Sequence, residues 1–157
     1  MAQPIGDFLP GVKYNGLNVP TVSGKGATYT LLPNQSGSLV LFDAASQVYT
    51  LPAPSVGMYF DFVSTITSAT NQEVDTDAAT TFIGGVVNIA LEATTPGANP
   101  GPKFFSATAT SSVKIAMSGS TTGGVIGSNF RLTCVSSTLW YIRGTLLATG
   151  TIATPFA

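Results

Sequence analysis

From about Ala27 onward the chain is built of short runs in which apolar and polar residues alternate. Thr28-Tyr29-Thr30-Leu31-Leu32 alternates, and Gln47 to Leu51 forms a short run ahead of Pro52-Ala53-Pro54. Gly57 to Val63 puts Met58, Phe60 and Phe62 on one face. Ser38 to Phe42 is apolar on both faces, and Val86 to Leu91 is nearly all apolar. Lys103 to Thr110, Val113 to Met117, Phe130 to Val135, Leu139 to Ile142 and Thr145 to Ala148 complete the series. A period of two in β-branched and aromatic segments of this length predicts strands, because successive side chains on a strand point to opposite faces. Pro33-Asn34-Gln35-Ser36-Gly37, the Pro96–Pro102 stretch and Thr121-Thr122-Gly123-Gly124 separate them as turns. No window carries a capped amphipathic helix. About ten strands at about ten-residue spacing predict an all-β fold, an antiparallel sandwich or barrel of jelly-roll-like form. No internal repeat is evident; the mildly repetitive Gly144–Thr154 stretch reflects simple composition.

Residues 1–26 follow a different pattern. Pro4, Pro10 and Pro20 interrupt regular structure, since proline fixes φ and removes a donor. Apolar side chains nevertheless recur at Phe8, Leu9, Val12, Tyr14, Leu17 and Val19, which a solvated linker would lack. This predicts an extended N-terminal arm over 1–26 that lies on a partner surface, followed by an all-β domain over 27–157.

Composition changes the picture in one respect. Charged residues are only 8% of the chain, against about 25% in ordinary soluble domains. A surface of Ser, Thr, Asn and Gly keeps copies apart poorly, and it costs little to bury because few ions lose their hydration. We read it as a surface covered by neighbouring subunits. No apolar run approaches the ~20 residues of a membrane-spanning helix, and an outer-membrane barrel, the remaining membrane alternative, needs regular ~10-residue amphipathic strands and aromatic girdles. The first residues carry no basic segment followed by an apolar one, so no secretory signal is predicted. A net charge of −1 gives no basic footprint for nucleic acid. Charge is nonetheless uneven: all seven acids lie at or before Glu92, with Lys13 and Lys25, while the other four bases follow. Chance among thirteen charges is the expected reading, and steering of subunit docking by opposite-sign halves the alternative.

The chemistry-bearing residues are few. Histidine is absent, which removes the usual general base, the Ser-His and Cys-His pairs and the commonest metal ligand. The single cysteine, Cys134, shares a strand face with Phe130 and Leu132 and reads as a buried structural thiol. Asp61 alternates with Phe60 and Phe62 and points away from them, an exposed or interface carboxylate with no second carboxylate nominated beside it. Glu73-Val74-Asp75-Thr76-Asp77 is the densest acidic cluster and is expected as a solvated loop, although a hard cation would relieve its repulsion. Gly123-Gly124-Val125-Ile126-Gly127 lacks the following helix of a phosphate loop and is expected as a hairpin turn. Asn34-Gln35-Ser36 matches a glycosylation acceptor but reads as a turn. Trp140 and Tyr141 lie on opposite faces of one strand, where core or subunit packing is the expected use and a carbohydrate platform the alternative. We expect no enzyme, no cofactor and no metal.

Three segments carry a resemblance. Ser36-Gly37-Ser38-Leu39-Val40-Leu41-Phe42 leads to Tyr49-Thr50-Leu51-Pro52-Ala53-Pro54-Ser55-Val56-Gly57-Met58-Tyr59-Phe60. Ser137 to Gly144 forms the second segment, and Gly150-Thr151-Ile152-Ala153-Thr154-Pro155-Phe156-Ala157 the third. An apolar strand, a Leu-Pro-x-Pro-x-x-Gly turn and an aromatic strand in this order resemble the capsid decoration, or cement, proteins of tailed bacteriophages. The resemblance runs from Ser36 to the C-terminus, and related β-modules occur in head and tail fibres. It implies a virion protein, made in the bacterial host cytoplasm and placed on the outer capsid surface. It implies a symmetric homo-oligomer, often a trimer, that bridges major capsid protein subunits. On that reading Phe8, Leu9, Val12, Tyr14, Leu17 and Val19 are the capsid-contact arm, and Trp140, Tyr141 and Phe156 are subunit-interface or core residues. The alternative is a host-attachment module that binds a cell-surface glycan.

Overall fold

Burial in the strand Tyr59–Ser64 alternates as its sequence does: Phe60, Phe62 and Ser64 are buried, while Tyr59, Asp61 and Val63 face outward. The same alternation recurs along the chain in this computed structural model, which describes residues 19–92 and 101–157. Eleven strands result: β1 Thr21–Val22, β2 Thr28–Thr30, β3 Leu39–Phe42, β4 Gln47–Thr50, β5 Tyr59–Ser64, β6 Gln72–Asp75, β7 Phe82–Leu91, β8 Lys103–Ala107, β9 Lys114–Met117, β10 Asn129–Ser136 and β11 Leu139–Ala148. They form a seven-stranded sheet in the order β1-β3-β5-β10-β11-β7-β8 and a four-stranded sheet in the order β2-β4-β6-β9. Among the described residues strand is nearly the only regular structure, with one 3-10 turn at Pro33–Gln35 where the glycosylation-like triplet falls. The fold is an all-β sandwich.

The sheets are mixed, where antiparallel ones are expected from the sequence. Odd-numbered β1, β3 and β5 pair in parallel in the larger sheet, and even-numbered β2, β4 and β6 pair in parallel in the smaller one. The chain therefore winds between the two sheets as a flattened coil, each strand landing beside its counterpart from the previous turn. A short internal repeat, against the expectation of none, accompanies the winding. Tyr29-Thr30-Leu31 stands one residue, Leu32, ahead of Pro33, Tyr49-Thr50-Leu51 stands directly before Pro52, and Tyr29 lies opposite Tyr49 across β2 and β4. Both tyrosines and both leucines pack toward the core, with ring centroids 6.3 Å apart between the tyrosines. Beyond the coil, β9 closes the small sheet antiparallel to β6, while β10 and β11 form an antiparallel hairpin between β5 and β7.

Two further expectations change. The arm predicted over 1–26 gives way to sheet before Gly26, because Thr21–Val22 pairs with Leu39–Val40 and Val22 is buried. A two-residue strand between Pro20 and Gly24 is too short to carry a period, so pattern alone misses it. The Gly123–Gly127 segment is a crossover rather than a hairpin turn, since β9 and β10, which flank it, belong to different sheets.

One core lies between the sheets. Phe62 stacks on Phe130 at 4.9 Å within the large sheet, and Tyr49 from the small sheet meets Phe42 edge-on at 5.3 Å. The buried Tyr49 hydroxyl donates to the Leu41 carbonyl at 2.8 Å, so the phenol enters the core with its polar end satisfied. Where the coil turns, buried glutamines take the place of apolar residues. Gln72 donates to the Ala44 carbonyl of the turn above and the Ile66 carbonyl of its own turn, and accepts from the Ser64 hydroxyl. Its neighbour across the sheet, Gln47, repeats the arrangement with the Gly26 carbonyl and the Asp43 side chain. Turns packed inside a sandwich leave carbonyls without a ladder partner, and these amides supply one.

Candidate functional site

The outer face of the seven-stranded sheet is the side of the molecule with both charge and open relief. β5 turns Asp61 outward, and the antiparallel register sets Arg131 of β10 directly opposite it. Arg131 in turn lies opposite Arg143 of β11. Arg131 Nε and Nη2 each donate to one Asp61 carboxylate oxygen at 2.6 Å, a two-pronged pair that fixes both planes. The guanidinium also lies 4.6 Å from the centroid of the Tyr59 ring, one step along β5 on the same face. The Asp61 hydrogen bonds push Arg131 further above its already high range, against partial burial, so it stays charged. Arg143 is exposed and makes no ion pair with a described carboxylate.

Between these residues runs a groove of about 700 Å³. Leu39, Asp61 and Val63 line it from β3 and β5, Asn129 and Arg131 from β10, and Arg143 and Thr145 from β11. Val19, the first described residue, also borders it and is 55% exposed. Further across the same face, Phe104 of β8, Val86 of β7 and Tyr141 of β11 stand in solvent, Phe104 at 71% exposure. Among the described residues the groove thus offers one carboxylate paired with an arginine, one guanidinium without an ion pair and an apolar rim. It holds, among those same described residues, no pair of carboxylates and no nucleophile–base couple.

The other face treats its charges similarly. Glu73 and Asp75 lie on β6, not in the loop expected from sequence, and Lys114 of β9 is placed beside them by the antiparallel register. Lys114 Nζ is 2.7 Å from Glu73 and 3.5 Å from Asp75. The ammonium supplies the positive charge that two acids on one strand face require. Asp75 Oδ1 is buried without a hydrogen bond, because 3.5 Å is a Coulombic contact only. Burial pushes the Asp75 carboxyl above its usual range, Lys114 opposing and Glu73 adding to the shift. Among the described residues no group of three or more His, Cys, Asp or Glu side chains could hold a metal ion.

The remaining sequence candidates fall in different places. Trp140 is fully buried, 6.1 Å from Phe60, with its Nε1 unpartnered, so its ring has no access to a sugar. Tyr141, its neighbour, is 45% exposed on the outer face. Phe156 is partly buried against the core, where the C-terminal tail runs beside β9 through an isolated bridge to Ile115. Cys134 is buried on the Phe130–Leu132 face, and burial pushes its thiol up. Phe8, Leu9, Val12, Tyr14 and Leu17 lie outside the described residues. The groove itself is missed by sequence reading, since it is made by four strands distant in sequence; the signal available was the Asp61, Arg131 and Arg143 set at outward positions.

No protein-family model, no curated protein and no solved structure matches the chain.

Proposed function

We propose that the chain is a structural virion protein that decorates a tailed-phage capsid and stabilises it by bridging major capsid protein subunits. The observation that carries this reading is how the molecule disposes of its few charges. Asp61 is matched by Arg131, and Glu73 and Asp75 share Lys114, within the chain itself. What is left outward is mostly Ser, Thr, backbone and exposed apolar side chains such as Val86, Phe104 and Tyr141, with a few scattered charges, Lys25, Asp43, Asp77, Glu92, Lys103 and Arg143. A surface of this kind is inexpensive to desolvate against another protein, where each buried unpaired ion would cost on the order of several kcal/mol. The rigid two-sheet body suits a load-bearing clamp, and the resemblance of the Ser36–Ala157 segments supports the capsid as the partner. The protein works as a homo-oligomer, a trimer by the same resemblance, on the outer capsid surface. Phe8, Leu9, Val12, Tyr14, Leu17 and Val19 are the arm that meets the lattice.

The test is reconstitution. Capsids lacking this protein are incubated with it, sedimented, and heated while DNA release is followed. The proposal expects saturable co-sedimentation, a raised release temperature, and loss of both when residues 1–18 are deleted. Binding to immobilised cell-surface glycans with no binding to capsids would replace it with the host-attachment reading.

A further inference from the structure

The groove on the large sheet begins where the described chain begins. Val19 forms part of its rim, and residues 1–18 must leave from that point. Those residues carry Phe8, Leu9, Val12, Tyr14 and Leu17. In a chain with so little charge, apolar side chains without cover drive association, so the free protein needs somewhere to put them. The nearest relief is the groove itself, with Leu39 and Val63 on one wall and Thr145 opposite. Distance is no obstacle. The groove crosses β3, β5, β10 and β11, about 15 Å at the usual spacing of strands. Residues 1–18 reach roughly 60 Å when extended. Charge permits it: Arg143 faces the groove without a carboxylate partner among the described residues, and residues 1–18 contain one carboxylate, Asp7, together with one ammonium, Lys13.

We infer that in the free protein residues 1–18 of the same chain occupy this groove, crossing the outer face of the large sheet from Val19 toward Arg143. The groove is then the resting place of the arm. This inference concerns the isolated chain and stands apart from whether the lattice is its eventual partner. A neighbour's arm in the same groove would be a different arrangement, and the test separates the two.

Benzoylphenylalanine is placed at Thr145, in a second variant at Val63, and in a control at Val56, which is exposed and away from the groove. Each full-length purified protein, without capsids, is checked for its β circular dichroism, irradiated at low micromolar concentration and mapped by mass spectrometry. The inference expects cross-links from Thr145 and Val63 to peptides within residues 1–18, in the monomer band, and none from Val56. Arg143→Glu should cut their yield several-fold, and Lys103→Glu should not. Cross-links to other regions only, or to residues 1–18 only in covalent dimers, overturn it. Equal yield in the Arg143→Glu variant also overturns it.

Discussion

Gly85 shows what a single position decides. Its φ is +113° on β7, and a β-carbon there would run into the backbone oxygen of Ile142 on the paired strand β11. Gly85→Ala is therefore expected to destabilise the fold by more than ~2 kcal/mol, against less than about 1 kcal/mol for a surface glycine; urea denaturation measures the difference. Asp75 gives a pH-dependent case. Its folded carboxyl holds the proton more tightly than the unfolded chain does, because burial outweighs Lys114. The group thus favours folding in acid, and that contribution is lost as pH rises through the raised value. Asp75→Asn removes the loss, so its melting temperature relative to the parent should climb between about pH 3 and pH 7. A difference flat with pH would contradict this. Cys134, buried with its thiol pushed up, should resist alkylation in the native state and react at the rate of unfolding. Residues such as these were legible unevenly. The inward side of Cys134 follows from a period of two. The role of Gly85 does not, since it depends on a strand paired with it from over fifty residues away.

At the level of elements, alternation locates most strands but says little about their partners. The Phe60–Phe62 and Phe130–Leu132 faces are read from the chain directly, whereas β1 and β6 are not. Thr21–Val22 is too short for a pattern, and Glu73 and Asp75 look solvated until Lys114 is brought beside them. Parallel pairing was visible only in the recurrence of Tyr-Thr-Leu before proline, where the repeat is short and its later turns lose it. The glutamines of the coil give a test of that architecture. Gln72→Leu strips three hydrogen bonds from buried groups, those with Ala44, Ile66 and Ser64. At about 1 kcal/mol or more for each group left unpaired, roughly 3 kcal/mol of stability should go. Arg131→Ala, which breaks a pair about one third exposed, should cost only about 1 kcal/mol and cost less in high salt. The order of these two losses is what denaturation should report.

For the molecule as a whole, two sheets around one aromatic core give a rigid body whose outer faces are nearly neutral. The groove, the apolar residues along β7, β8 and β11, and the in-chain pairing of Asp61, Glu73 and Asp75 are the features on which the proposed contact with protein rests. The shortage of charge was plain from composition; the pairing of what charge there is required the register of β5 with β10 and of β6 with β9. The most direct test of a capsid-decorating role is immunogold labelling of intact phage particles that contain this protein, with antibody raised against the purified chain. The account predicts gold distributed over the capsid shell in repeating positions. Label confined to tail or fibre tips, or absent from the particles, would contradict it.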